Sequence, residues 1–244
     1  MKIKRIIALL LVLVALTSVF ASCDAASEPV ALVAAAEVAL KMAPYTVNST
    51  VEYTSTDEGM SAMIKSFSSP TIKVTVDGDK FRAQMDVKNG DVSNYVTITY
   101  VDGFLYTQWM ENGKAVNNKE EYTAEDKAAL VTKLGSGADI NVDDFNNVSA
   151  SHKKGVDTIS CDGIKAESLG TLVTMLEEQF TSLDAKIEIK DATLTMNIED
   201  GKYTSSTLTC EYYITTSIDC YVINMTYTTE YDYESGAVIS SPVF

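Results

Sequence analysis

Histidine is almost missing from this chain, and its scarcity removes much chemistry at once. His152 is the single histidine in 244 residues, and none of the four cysteines forms a Cys-x-x-Cys pair. A zinc centre or thiol-redox motif therefore lacks its ligands, and neither metal nor cofactor is expected. His152 stands beside Lys153 and Lys154 with no nucleophile in view, and the G-x-S-x-G elbow is absent. Glycine-rich phosphate loops are missing too. Arginine is reduced to Arg5 and Arg82, and the lysines are scattered. Nothing forms the basic stripe that tracks a phosphate backbone, so no nucleic-acid partner is expected. Asp139, Asn141, Asp143 and Asp144 cluster without the turn glycine and closing glutamate of an EF-hand, so they read as a solvated connection. Carboxylates are plentiful, but no pair is seen to converge as glycoside hydrolysis needs. The chain is not expected to be an enzyme.

Long apolar runs are lacking as well, apart from one at the very start. Lys2, Lys4 and Arg5 precede an unbroken apolar stretch from Ile6 to Leu16, then Thr17-Ser18-Val19-Phe20-Ala21-Ser22-Cys23. A basic start, a core too short to span a bilayer and small residues before a cut site make a secretory signal. Ala21-Ser22 directly before Cys23 resembles a bacterial lipobox, with Phe20 departing from the usual aliphatic residue. That resemblance implies removal of residues 1–22 and a diacylglycerol on the thiol of Cys23. Residues 23–26 would then form a short tether, with one domain over 27–244. Two or more acyl chains make a stable anchor. The expected place is the outer face of the cell membrane, or the periplasmic side where an outer membrane exists. There Asp24 resembles the residue that favours inner-membrane retention. The competing reading is cleavage after Ala21 and simple secretion, with Cys23 a linker thiol.

The chain carries a formal charge of −15, and losing Lys2, Lys4 and Arg5 takes the mature part to −18. Such acidity suits a soluble surface domain, or a cationic partner. The remaining cysteines are Cys161, Cys210 and Cys220. Cys210 and Cys220 lie symmetrically about Thr215 in an expected hairpin. Two readings stay open: a disulfide across the strands, or small buried thiols.

Asp77-Gly78, Asn89-Gly90, Asp102-Gly103, Asn112-Gly113, Asp162-Gly163 and Asp200-Gly201 punctuate the sequence, most of them between runs of alternating polarity. Asp-Gly and Asn-Gly favour tight hairpins, so most of the chain should be antiparallel strand. Tyr45, Val47, Val51 and Tyr53 alternate with polar residues, as do Ile72, Val74 and Val76, and again Phe81, Ala83, Met85 and Val87. Further runs cover 93–101, 104–110, 148–161, 185–199, 203–213 and 219–233. The alternation slips phase between Ile189 and Ala192, the mark of a bulge. Helices are expected over Ser27–Met42, Thr123–Leu134 and Ser168–Leu183, from their capping residues and, in the last, an apolar stripe. Between two strands, Met60, Met63, Ile64 and Phe67 form a short apolar stripe in residues 55–69. It reads either as a lid over a cavity or as a small helix plugging the sheet. Tyr203, Tyr212, Tyr213, Tyr221, Tyr227, Tyr231 and Tyr233 read as an aromatic surface or as ordinary strand tyrosines.

The lipobox-like start, a helix feeding a Tyr/Val strand, the hairpins of Thr71–Val76, Phe81–Val87 and Phe104–Leu105–Tyr106, a late amphipathic helix and long closing strands resemble the LolA-like and LppX-like envelope lipoproteins. The likeness is one of layout over roughly residues 27–233 and contains no signature motif. It implies an α+β fold: one curved antiparallel β half-barrel of about eight to eleven strands with helices packed on its concave face. It also implies carriage of a lipid or acyl ligand between sheet and helices. Val47, Val51, Ile72, Val74, Phe81, Met85, Leu172 and Leu176 would line that site, under the lid of residues 55–69. The alternative is a non-catalytic surface module with a filled core and no ligand inside, whose tyrosine-rich strands meet a protein or glycan partner of unknown kind.

Overall fold

The computed structural model describes residues 28–66, 71–89, 92–111, 113–123, 142–165, 168, 186–216, 219–234 and 238–243. Its hairpins explain most of its shape. Three of them turn on two consecutive left-handed residues: Asp102–Gly103 (φ 52° and 81°), Lys154–Gly155 (55° and 86°) and Asp200–Gly201 (50° and 72°). This geometry matches the twist of the strands it joins. Residues 148–161, expected as one run, are thus folded back on themselves at Lys154–Gly155. Asp162–Gly163 instead falls inside a strand, where the Gly163 carbonyl accepts from Asn146 Nδ2 at 2.9 Å.

The described elements run α1 (Glu28–Met42), β1 (Tyr45–Ser55), α2 (Glu58–Ser66), β2 (Thr71–Asp77), β3 (Lys80–Asn89), β4 (Val92–Val101), β5 (Phe104–Glu111) and β6 (Lys114–Glu121). After a 3-10 turn at Val142–Asp144 come β7 (Phe145–Lys153), β8 (Val156–Ile164), β9 (Lys186–Glu199), β10 (Lys202–Thr215) and β11 (Cys220–Asp232). Among the described residues these strands form one antiparallel sheet in the order β6-β5-β4-β3-β2-β1-β11-β10-β9-β8-β7. Two meanders meet where the first strand pairs the last, from Thr46↔Asp232 to Ser55↔Ile223. The phase slip near Ala192 is a bulge: Glu211 faces Asp191, and the next residue, Tyr212, faces Ile189.

The expected α+β class is corrected. Of the described residues 68% are strand and 15% helix, and the sheet is open rather than a half-barrel filled by helices on a concave face. The physical reason lies in the long strands themselves. Val47, Met85, Ile159, Met196 and Leu208, from both meanders, belong to one buried cluster, so the sheet supplies most of its own core. α1 adds Val33 and Ala36 to it, packing near β10 and β7, and α2 adds Met60 against β1. Thr123 is described, but 124–134 and almost all of 168–183 lie outside the described residues.

The opposite face is wet over much of its width. Thr50, Thr228, Thr207, Thr195, Ser160 and Ser149 align in one row across β1, β11, β10, β9, β8 and β7. Threonine suits such a pleated, half-exposed surface. Over β4 and β5 the chain's end covers this face: Ile239 is buried against Val101, Tyr106 and Phe104, and Lys119 Nζ sits 3.9 Å from the Phe104 ring centre.

Candidate functional site

The residues expected to line a ligand cavity share one face of β1, β2 and β3. Register pairs Val47 with Val74 and Ile72 with Met85. Val47, Val51 and Met85 have 0% exposure, Ile72 1% and Val74 4%. Side chains without accessible area border no void that admits a water molecule. Phe81 is half-buried and stacks on Tyr100, ring centres 5.9 Å apart. Leu172 and Leu176 lie outside the described residues.

The 55–66 segment is tied down at its base. Ser55 Oγ donates to the Val222 carbonyl at 2.6 Å, and Asp57 Oδ1 caps α2 by accepting the Met60 N–H at 2.7 Å. Met60 is buried in the main core and Ile64 packs partly against it. The Met63 side chain and Phe67 lie outside the described residues.

Of the two cysteine readings, the cross-strand disulfide is not formed, and the buried-thiol reading holds for Cys161 and Cys210 but not for Cys220, which is exposed. The described cysteines are free. Register places Cys210 opposite Met225 and Cys220 opposite Thr215, with Cys210 on the buried face and Cys220 on the other. Five rungs amount to about 17 Å along the strands, far beyond the reach of a disulfide. Burial pushes the Cys161 and Cys210 thiols up to about 12, with nearby carboxylates adding to both. Cys23 lies outside the described residues. His152 Nδ1 lies 2.7 Å from Asp157 Oδ1 at the exposed end of the β7–β8 hairpin. Among the described residues no group of three or more His, Cys, Asp or Glu side chains converges for a metal. No described helix is long and apolar enough to cross a membrane.

The seven tyrosines divide between core and partial exposure, with Tyr213, Tyr221, Tyr231 and Tyr233 partly exposed. Tyr203, Tyr212 and Tyr227 are buried. The Tyr203 hydroxyl donates to the Val33 carbonyl at 3.3 Å, fastening α1 to the sheet, and its ring lies 5.5 Å from that of Tyr231. Burial raises the Tyr203 hydroxyl far above its ordinary value, with Glu37, Tyr231 and Tyr233 contributing.

Next to this aromatic group lies a cleft of about 420 Å³, missed in the sequence because it joins two stretches of chain, 37–45 and 76–78, that are far apart in sequence. Its walls are Glu37, Leu40, Lys41 and Met42 from α1, Ala43, Pro44 and Tyr45 leading into β1, and Val76, Asp77 and Gly78 at the β2–β3 turn. Tyr45 is register-paired with Val76, and its ring lies 6.3 Å from that of Tyr233. Pro44 follows the helix closely, as a residue that cannot extend it. Glu37 is the unusual group: burial pushes its carboxyl up to about 7, against the pull of Lys41. Among the described residues no ion pair or hydrogen bond neutralises it. The volume falls in the range of small-ligand sites, and the lining is divided between apolar and polar groups.

No protein-family model and no curated protein matches the chain. Among solved structures, the ywiB protein from Bacillus subtilis is 10% identical with a TM-score of 0.19, over 77% of this chain and 91% of that one. GphF dehydratase 1 is 6% identical with a TM-score of 0.14, over 83% and 81%. Likeness this slight carries neither fold nor activity across.

Proposed function

We propose that this chain is a membrane-anchored bacterial envelope lipoprotein whose sheet domain is a non-catalytic binding module with a filled core. The observation that carries the second half is the complete burial of Val47, Val51 and Met85, the residues a lipid-carrying cavity would have to expose to its ligand. The anchor half rests on the N-terminal signal and Cys23. With the apolar face consumed by packing, recognition falls to the remaining surface and to the cleft beside α1.

Lipid carriage is the competing reading and makes the opposite forecast. Titration of the purified protein with a fluorescent long-chain fatty acid should give no saturable uptake. One-to-one binding that is lost on enlarging Val51 to Phe would reinstate the carrier. For the anchor, wild-type protein should enter the detergent phase and Cys23→Ser should abolish lipidation while leaving the β-sheet circular dichroism unchanged. Wild-type protein that remains wholly aqueous would contradict it.

A further inference from the structure

We propose that the cleft between α1 and the β2–β3 turn binds an organic ammonium group carried on a short apolar body. The inference rests on reading the domain as a binding module, and it names the ligand chemistry of that module. Leu40, Pro44, Tyr45 and Val76 give the cleft an apolar wall long enough for a small alkyl or aromatic body. Its polar groups are weighted toward anions. Glu37 and Asp77 both line it, against Lys41 alone. The end of α1 adds to this weighting. Its last four carbonyls have no partner within the helix, and they form the negative end of the helix dipole. Among the described residues no backbone turn or cap donor outside the helix closes on them. Pro44, two residues past the helix, has no N–H to offer.

A carboxylate in that position is partly desolvated, with only the pull of Lys41 to offset the cost, an arrangement that favours the arrival of a donor. An ammonium would supply three N–H donors: one aimed at Glu37, one at the helix-end carbonyls and one toward Asp77 or water. The ring of Tyr45, with Tyr233 behind it, suits the methylene next to a cation. An anionic headgroup would instead face Glu37, Asp77 and the negative helix end together, with Lys41 alone to offset them. A net-acidic chain of −15 also raises the local concentration of cations over anions.

The groups that act on or feel Glu37 are Lys41 from its own helix and Tyr203 from β10, with Tyr231 and Tyr233 next to Tyr203. Asp77 at the end of β2 and Tyr45 of β1 line the same cleft. Burial pushes the Glu37 carboxyl up to about 7, so its charge changes near neutrality. Ammonium binding should therefore strengthen about ten-fold from pH 6 to pH 8 as the carboxylate forms.

Calorimetric titration with n-hexylammonium, hexanol and hexanoate tests the inference on the full chain. Saturable one-to-one binding of hexylammonium at pH 8, with neither of the others binding comparably, is the expected result. Glu37→Gln should weaken it about ten-fold and remove the pH dependence, and Asp77→Asn should weaken it less. Circular dichroism of both variants checks that they fold. Equal binding of all three probes, no binding of hexylammonium, or an unchanged affinity in folded Glu37→Gln would overturn the assignment. None of those outcomes bears on the filled core, whereas fatty-acid uptake would refute the filled core and leave this cleft untouched.

Discussion

Met85→Ala measures how full the core is. Met85 has no accessible surface and sits between Ile72 of β2 and Val96 of β4 in register, on the face that carries the main apolar cluster. The substitution removes the thioether arm beyond Cβ. Transfer alone, at about 0.8 kcal/mol for each methylene-sized group, gives roughly 2.4 kcal/mol. Neighbours held in strands relax little, and the residual cavity takes the expected loss into the range of about 2–5 kcal/mol. In a domain of this size a loss of about 3 kcal/mol lowers Tm by about 6–12 °C. Urea unfolding followed by far-UV circular dichroism reads the same quantity as a midpoint shift at constant slope. Thr207→Ala, in the hydroxyl row of the opposite face, serves as the control and should change stability by no more than about 0.5 kcal/mol. A Met85→Ala shift below about 2 °C would show that the core is not filled, because truncation costs little where a side chain already borders empty or lipid-filled space.

Lys154 holds φ 55° in the β7–β8 turn, a conformation asparagine tolerates better, so Lys154→Asn should raise stability by about 0.5–1 kcal/mol. A lowered urea midpoint would show that the lysine side chain matters more than the turn. An aromatic-disulfide thiol reagent should modify Cys220 quickly in the native protein, and Cys161 and Cys210 only as it unfolds, given their burial and thiols pushed up to about 12. A second fast thiol in the lipidated protein contradicts that placement. Glu37 has a folded-state value of about 7 against an ordinary 4.5, so the folded state holds its proton more tightly. Its contribution is fully present below about 4.5 and is lost as pH rises through about 7. Thermal unfolding of Glu37→Gln should match wild type at pH 4 and exceed it at pH 8; a gap of the opposite sign refutes the desolvation argument.

Strand positions were legible because a period of two survives any tertiary arrangement that dries one face. Val47/Val51, Ile72/Val74 and Phe81/Met85 all lie on the face their alternation assigned them. The bulge beside Ala192 could be read for the same reason. Lys154–Gly155 was obscure because lysine is a poor marker of positive φ, whereas Asp-Gly is a strong one. Strand order was out of reach of local pattern. Pairing β1 with β11 depends on closing a loop of nearly the whole chain, and the two strands carry no mutual label beyond polarity. The Cys210–Cys220 symmetry misled because the hairpin turns after Thr215, with Thr215 facing Cys220, rather than at Thr215 itself. The cleft was invisible for a different reason. Glu37 looks like an ordinary polar position in an alanine-rich helix, and its environment comes from Tyr203 and the β2–β3 turn. Ile239 likewise gave no sign that it would return to cover Val101 and Tyr106.

Native mass spectrometry of wild-type protein, purified in detergent from its own host and released in the spectrometer, reads the anchor and the filled core in one mass. A mature chain beginning at Cys23, carrying covalently attached acyl groups and no further lipid, is expected. A stoichiometric non-covalent lipid in addition to the anchor would contradict the filled core, and an unmodified chain beginning at Ser22 would contradict the anchor.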